Sequence, residues 1–338
     1  MATRTLKVVI LDDYQNAVTK LDCFSLLADH EVVVFRDTIH DIERLAARLA
    51  DADVLVLIRE RTPITRELLQ KLPKLRFIAQ TGKASAHIDL EAATEHKVAV
   101  SESRFSGMAT AELVWGLILA SMRRIPQYIA QFRNGVWQRS GLESEDGYSG
   151  HGLGTTLAGK TLAIWGYGRI ARILGKYGQA FGMHVLIWGS EASREAAKLD
   201  GYDVATSKED LFTRADVLTL QLRLVAATRN IVTLGDFQRM KPTALFVNTS
   251  RSGLIEDGAL LAALRSGRPG FAALDVFEQE PPGAGYPLLH MQNVICTPHI
   301  GYVEKENYEA LFDAAFRDVL AWHEGTPEHV INMDALDR

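Results

Sequence analysis

The chain has 338 residues, which at about 150 residues per domain predicts two domains, each large enough to bury a core of its own. Hydrophobic residues make up 47% and charged residues 23%, the balance of a soluble globular protein. A net charge of −5 supplies no bulk basic field, so neither nucleic acid nor an anionic membrane is expected as a partner. The two cysteines, Cys23 and Cys296, form no paired spacing, which argues against a disulfide framework and against a structural metal. The apolar run at residues 8–11 (VVIL) is strand-length, far short of a membrane span. The first residues also lack a signal-peptide pattern. A cytoplasmic, reducing setting is therefore expected.

Short β-branched runs at residues 6–11, 31–35, 53–58, 75–80 and 97–100 alternate with amphipathic segments such as 40–50 and 64–71. This alternation predicts parallel strands covered by helices. From about residue 104 the character changes. Residues 107–125 (GMATAELVWGLILASMRRI) predict one long, largely apolar helix, and the stretch 133–156, with six glycines, predicts a surface loop. A second alternating run follows, with strands expected at 161–166, 184–188, 216–220, 244–248, 271–274 and 293–296. The fold class is α/β twice over, one parallel sheet per domain.

Residues 166–171 read Gly166-Tyr167-Gly168-Arg169-Ile170-Ala171, a G-x-G-x-x-A pattern. Such a hexapeptide says little alone, but here it ends a predicted strand and opens a predicted helix at 169–181. In that context Gly166 permits a tight turn, Gly168 lets the backbone approach a pyrophosphate, and Ala171 is small enough for helix–strand packing. The N–H groups of Arg169 and Ile170 then face the phosphates at the helix start. The second strand ends Trp188-Gly189-Ser190-Glu191, with glycine where an acid would bind the ribose hydroxyls of NAD. Glu191 could still reach the ribose, whereas Ser190 and Arg194 could accept the extra phosphate of NADP. The cofactor is read as NAD(P), with NADP favoured slightly.

Three residues stand out in the last third: Arg251 after Asn248-Thr249-Ser250, Glu280 in Phe277-Glu278-Gln279-Glu280-Pro281, and His299 in Thr297-Pro298-His299-Ile300-Gly301. Singly, each is an ordinary loop residue. Together, with Leu157-Ala158-Gly159-Lys160-Thr161 before the glycine turn and Met240-Lys241-Pro242 before the Arg251 strand, they resemble the D-isomer-specific 2-hydroxyacid dehydrogenases. The resemblance extends over almost the whole chain. It implies that Arg251 binds a substrate carboxylate and polarises the 2-oxo group. It makes His299 the acid/base and Glu280 the carboxylate that orients and stabilises its protonated ring. Asp275 resembles the family residue that orients the nicotinamide carboxamide.

Residues 80–89 (QTGKASAHID) align with the family loop that holds the substrate carboxylate by backbone N–H groups, which here would come from Lys83 and Ala84. The family pattern has a further glycine and an Asn where this chain has Ala84 and His87. Residues 58–63 (IRERTP) resemble a motif of phosphoglycerate dehydrogenases and place Arg59 and Arg61 at a sheet edge, as a cationic rim for a second acidic group. A solvated turn is the plainer alternative for that pair. Ser252 and Arg223 depart from the family pattern without removing a catalytic group, and His87, His151 and Trp137 are read as structural.

The expected function is an NAD(P)-dependent oxidoreductase interconverting a small 2-oxo acid and its D-2-hydroxy acid. The resemblance implies an active site in a cleft between two domains: a flavodoxin-like substrate domain at 1–103 plus 300–338, and a Rossmann domain at 104–299. It also implies a homodimer built on the 107–125 helix and the loop after it. The helix predicted at 303–323 would return to the first domain, and the length leaves no room for a further regulatory domain. The alternatives are a D-3-phosphoglycerate dehydrogenase proper, supported by Arg59, Arg61 and Lys83, and a dinucleotide-sensing corepressor-like scaffold.

Overall fold

Neighbouring parallel strands cannot be joined by a tight hairpin, so each connection returns over a face of the sheet and buries the strands on both sides. The β-branched runs follow this rule in the computed structural model, which describes residues 4–84, 87–103, 107–139 and 152–336. The chain divides into two compact units, Met1–Ser106 with Val303–Arg338, and Gly107–Tyr302.

The first unit holds β1 (Lys7–Ile10), β2 (Glu31–Val34), β3 (Val54–Ile58), β4 (Phe77–Thr81) and β5 (Ala99–Glu102). All pairings are parallel and the order is β2-β1-β3-β4-β5, the flavodoxin-like winding. Helices α1 (Ile42–Leu49), α2 (Arg66–Gln70) and α3 (Leu90–Glu95) form the crossovers. Each starts where Asp41, Thr65 or Asp89 accepts a backbone N–H of the first turn. The sequence places Arg59 and Arg61 at a sheet edge; the structure corrects this. They follow β3, which β1 and β4 flank, so they stand at the C-terminal end of a central strand.

Helix α11 (Lys305–His323) packs in the same unit. Its Trp322 stacks on Phe77 with ring centroids 5.0 Å apart, and Phe312 and Phe316 are fully buried. Beyond it, Ile331 N–H donates to the Val100 carbonyl and the Asn332 side chain accepts the Val100 N–H. That segment covers the β5 edge, which would otherwise present unpaired backbone groups.

The second unit holds β6 (Thr161–Trp165), β7 (His184–Trp188), β8 (Asp203–Val204), β9 (Val217–Leu220), β10 (Leu245–Asn248), β11 (Phe271–Leu274) and β12 (Val294–Cys296). Its order, β12-β11-β10-β9-β6-β7-β8, is all parallel and reverses direction between β6 and β9, as in a Rossmann sheet. Helices α6 (Arg169–Ala180), α7 (Glu191–Leu199), α8 (Lys208–Arg214), α9 (Leu234–Gln238) and α10 (Ala259–Arg265) complete the alternation after α4 (Met108–Met122) and α5 (Ile125–Arg133).

The helix expected over 107–125 is α4, which stops at Met122, and a second helix, α5, starts at Ile125. Pro126 in a continuous helix would clash with the Met122 carbonyl and leave it unpaired. Instead Arg124 turns into the left-handed region (φ 57°) and Pro126 falls in the first turn of α5, where no N–H is required. The buried Arg124 guanidinium lies 3.4 Å from the Phe271 ring centroid and donates to the Ser121 carbonyl at 2.6 Å. Of the loop expected at 133–156, residues 140–151, and with them His151, lie outside the described residues. Both cysteines are free thiols, and no helix among the described residues is long and apolar enough to cross a membrane.

Candidate functional site

The glycine turn leaves β6 at the point where the strand order reverses, the place where open α/β sheets bind ligands. Gly166 sits at φ 100°, and a Cβ there would collide with the Gln221 backbone carbonyl of the chain leaving β9. Only glycine satisfies both conditions. Gly168 is different: a Cβ on it would meet no atom within 4 Å, so nothing in the fold itself requires glycine there. Ala171 is fully buried, and a Cβ on Gly175 or Gly178 of the same helix would approach Tyr202 or Leu162 to 2.8 Å. Small residues thus let α6 pack closely at three positions, two more than the sequence pattern marked.

The α6 N-terminus has no side-chain cap and no acidic residue in its first turn, with exposed Arg169 and half-buried Ile170 as its first residues. Open space at Gly168 and an uncapped helix start fit a pyrophosphate. At the tip of β7, Ser190 caps α7 by accepting the Ser193 N–H at 3.3 Å, and its hydroxyl donates to Ser193 Oγ at 3.0 Å. Arg194 lies over Trp188 (4.8 Å to the ring centroid) and donates to the Gly189 carbonyl at 2.9 Å.

The second cluster forms at the C-terminal ends of β10, β11 and β12. Glu280 Oε2 lies 2.5 Å from His299 Nδ1, while its Oε1 accepts the Phe277 N–H at 3.0 Å. Burial pushes the Glu280 carboxyl up; the His299 hydrogen bond and charge, the Phe277 N–H and the Arg251 charge outweigh it and leave the group below the usual glutamate value. His299 itself occupies the left-handed region (φ 52°), uncommon for a side-chain-bearing residue.

Asp275, 1% exposed, fastens that strained segment. Its Oδ1 accepts from Thr297 Oγ1 (2.7 Å) and Ile300 N–H (2.8 Å), and its Oδ2 from Gly301 N–H (2.8 Å). Burial nonetheless holds its carboxyl above the usual aspartate range against those hydrogen bonds. This anchoring role is one the sequence did not reveal. Arg251 is half-buried; it donates to the Ser250 carbonyl at 2.6 Å, and Asn248 pins its backbone by donating to the Arg251 carbonyl at 2.9 Å.

In the first unit, the ends of β3 and β4 are joined by buried polar groups. Gln80 Nε2 donates to the Arg59 carbonyl (2.9 Å), its Oε1 lies 3.0 Å from His87 Nε2, and Thr81 Oγ1 accepts the Arg59 N–H (3.1 Å). These hold Arg59 at φ 59° with its guanidinium against Gly82, where a Cβ would collide with it. Arg61 donates to the Asp12 carbonyl at 2.5 Å and lies over the Tyr14 ring at 4.2 Å. The Ala84 N–H donates to Glu102 Oε2 at 3.1 Å, and Lys83 Nζ is 4.0 Å from Glu102 Oε1. Glu102 carries no sequence signal and was not anticipated. Among the described residues no group of His, Cys, Asp and Glu could hold a metal.

Residues 115–301 match the family model described as D-isomer specific 2-hydroxyacid dehydrogenase, NAD binding domain, and that span contains the glycine turn, Arg251, Glu280 and His299. A D-3-phosphoglycerate dehydrogenase of Methanocaldococcus jannaschii is 38% identical over 293 residues, 86% of this chain and 54% of that protein. A glyoxylate reductase of Aeropyrum pernix is 35% identical over 299 residues, 87% of each. Among solved structures, one provisionally assigned as a D-3-phosphoglycerate dehydrogenase oxidoreductase from Ralstonia solanacearum superposes with a TM-score of 0.95 at 54% identity, covering 99% of both chains. A phosphoglycerate oxidoreductase from Vibrio cholerae gives a TM-score of 0.90 at 49% identity, covering 95% of this chain and 100% of that one. The chain spans about half the length of the matched phosphoglycerate dehydrogenases and most of the length of the glyoxylate reductases. The matched NAD-binding region supports a nicotinamide dinucleotide as cofactor. With more than half of the chain matched by the family model, the chain belongs to the D-isomer specific 2-hydroxyacid dehydrogenase family.

Proposed function

We propose that the protein interconverts a small 2-oxo acid and its D-2-hydroxy acid. The observation that carries this reading is the His299–Glu280 pair, held at 2.5 Å beside the Arg251 charge in the unit that also bears the glycine turn. A bound nicotinamide dinucleotide supplies or accepts the hydride. Gly166, Gly168, Arg169 and Ile170 hold its pyrophosphate, and Asp275 orients its carboxamide. Arg251 binds the substrate carboxylate and polarises the oxo group. His299 gives the oxo oxygen its proton, and Glu280, kept ionised, stabilises the imidazolium before that transfer. Glycine in place of an acid at position 189 favours NADP, with Ser190 and Arg194 as the phosphate's neighbours.

The test is turnover of glyoxylate, hydroxypyruvate, pyruvate and 3-phosphohydroxypyruvate with NADH and with NADPH. Reduction of at least one acid is expected. Dinucleotide binding with no turnover of any acid would overturn the reading and favour a dinucleotide-sensing scaffold. One observation favours a phosphorylated substrate: Arg59 and Arg61 stand at the end of β3, where the first sheet reverses its order. The similar solved structures at 54% and 49% identity are a provisionally assigned D-3-phosphoglycerate dehydrogenase and a phosphoglycerate oxidoreductase, which supports the same choice. A preference for 3-phosphohydroxypyruvate over glyoxylate would establish it. We also assign a homodimer, supported by α5, which exposes Ile125, Ile129 and Phe132 on one face with Trp137 packed edge-on against Phe132.

A further inference from the structure

The turn after β4 is fastened twice by Ser103. Its hydroxyl accepts the Gly82 N–H at 2.7 Å, and its own N–H donates to the Gly82 carbonyl at 3.1 Å. These two bonds hold both polar groups of Gly82, so the turn is fixed before Glu102 is considered. The Glu102 carboxylate then makes a third contact one step further on. It takes the Ala84 N–H, with the Lys83 ammonium 4.0 Å from its other oxygen. A carboxylate on a backbone N–H beside a cation is the arrangement the proposed substrate acid would require. Glu102 is only partly exposed, with 26% of its side chain accessible, so the contact is not a loose surface pairing.

We infer that Glu102 determines substrate specificity: its carboxylate occupies the Ala84 N–H as an internal stand-in for a substrate carboxylate, and each substrate acid binds there by displacing it. The inference rests on the proposed 2-oxo acid reaction and on Lys83 and Ala84 as the acid-binding loop. Two consequences follow from the charge. A displaced Glu102 stays near the bound acid and repels it, more strongly when the substrate carries a second anionic group. It also keeps Lys83 partly neutralised, so the loop's cation is not fully available to the substrate. Glu102 thus favours singly charged acids such as glyoxylate, while Arg59 and Arg61 favour doubly charged ones, and the balance between them sets the preference.

The test compares wild type with Glu102→Gln and Glu102→Ala. Gln keeps the shape and a neutral acceptor for the Ala84 N–H; Ala removes both charge and acceptor. Loss of a charge-assisted hydrogen bond from the competing state lowers KM for glyoxylate about fivefold in Glu102→Gln and about tenfold or more in Glu102→Ala. The decrease is larger for 3-phosphohydroxypyruvate than for glyoxylate. Oxalate, an unreactive analogue, binds the cofactor-loaded variants more tightly by the same order, read by calorimetry. An anchor of the loop behaves in the opposite way: KM rises in Glu102→Ala and is unchanged in Glu102→Gln, and that result overturns the inference alone. A wild-type protein that turns over no acid and binds no oxalate overturns it together with the proposed reaction.

Discussion

Glu280 holds His299 with one carboxylate oxygen and its own loop with the other. Oε2 is 2.5 Å from His299 Nδ1, and Oε1 accepts the Phe277 N–H at 3.0 Å. The carboxylate cannot rotate away from the imidazole without giving up the backbone bond. With Nδ1 taken by Glu280, Nε2 is the ring nitrogen that serves the substrate in the proposed reaction.

Glu280→Gln preserves shape and removes charge. In the proposed reaction it lowers the rate of oxo-acid reduction by about 10- to 100-fold, because the imidazolium loses its counter-charge. A reduction rate unchanged from wild type would show that the carboxylate does not act on His299.

The same substitution has a stability signature. The folded protein holds the Glu280 carboxyl below its ordinary value, so the unfolded chain binds that proton more readily. The resulting stabilisation is complete above about pH 4.3 and is lost as the pH falls through the lower folded value. With 36% of the side chain exposed, solvent screening keeps it under about 1 kcal/mol. Calorimetry should find Glu280→Gln melting slightly below wild type at pH 7, with the gap closing as the pH falls below the ordinary glutamate range.

Gly166 and Gly168 separate folding from cofactor binding. Gly166→Ala meets the Gln221 carbonyl and an unfavourable φ, and costs about 2 kcal/mol or more of stability. Gly168→Val meets no protein atom within 4 Å at Cβ, so its melting temperature stays near wild type. It weakens dinucleotide binding about tenfold or more if a pyrophosphate occupies that space. Equal affinities in Gly168→Val and wild type would remove the site from this turn.

Arg251→Lys keeps a positive charge without the planar fork. It raises KM for the acid about tenfold, and Arg251→Ala about 100-fold, the scale of one and then two charge-assisted hydrogen bonds. Steady-state kinetics at saturating cofactor reads both. Unchanged KM in Arg251→Ala would contradict the anchor role.

Phe132, 63% exposed, and Trp137, 68% exposed, carry the dimer prediction. Phe132→Asp places a charge in the face that a second copy would bury. The variant should elute as a monomer in size-exclusion chromatography where wild type elutes as a dimer.

What the sequence made legible was local and periodic. Buried parallel strands appear as apolar runs, and all five first-unit strands and six of seven in the second were anticipated to within a few residues. The missed one, β8, is two residues long and carries no period. Helix α5, which starts around Pro126 beyond the apolar run at 107–125, carries no apolar stripe strong enough to mark it in the sequence. Arg251, Glu280 and His299 were named from their motifs, and the structure brings the last two into contact. Long-range partners were not legible. Asp275 fastening Thr297, Ile300 and Gly301, and Glu102 taking the Ala84 N–H, depend on chain segments that meet only after folding. No local pattern records such pairs.

The most direct measurement of the central claim is the turnover number of His299→Ala with the best acid substrate and saturating cofactor. If His299 is the proton donor, kcat falls by about 10² or more while dinucleotide affinity stays near wild type. A His299→Ala protein with near-normal kcat would contradict the assignment of this residue, and with it the proposed reaction at this site.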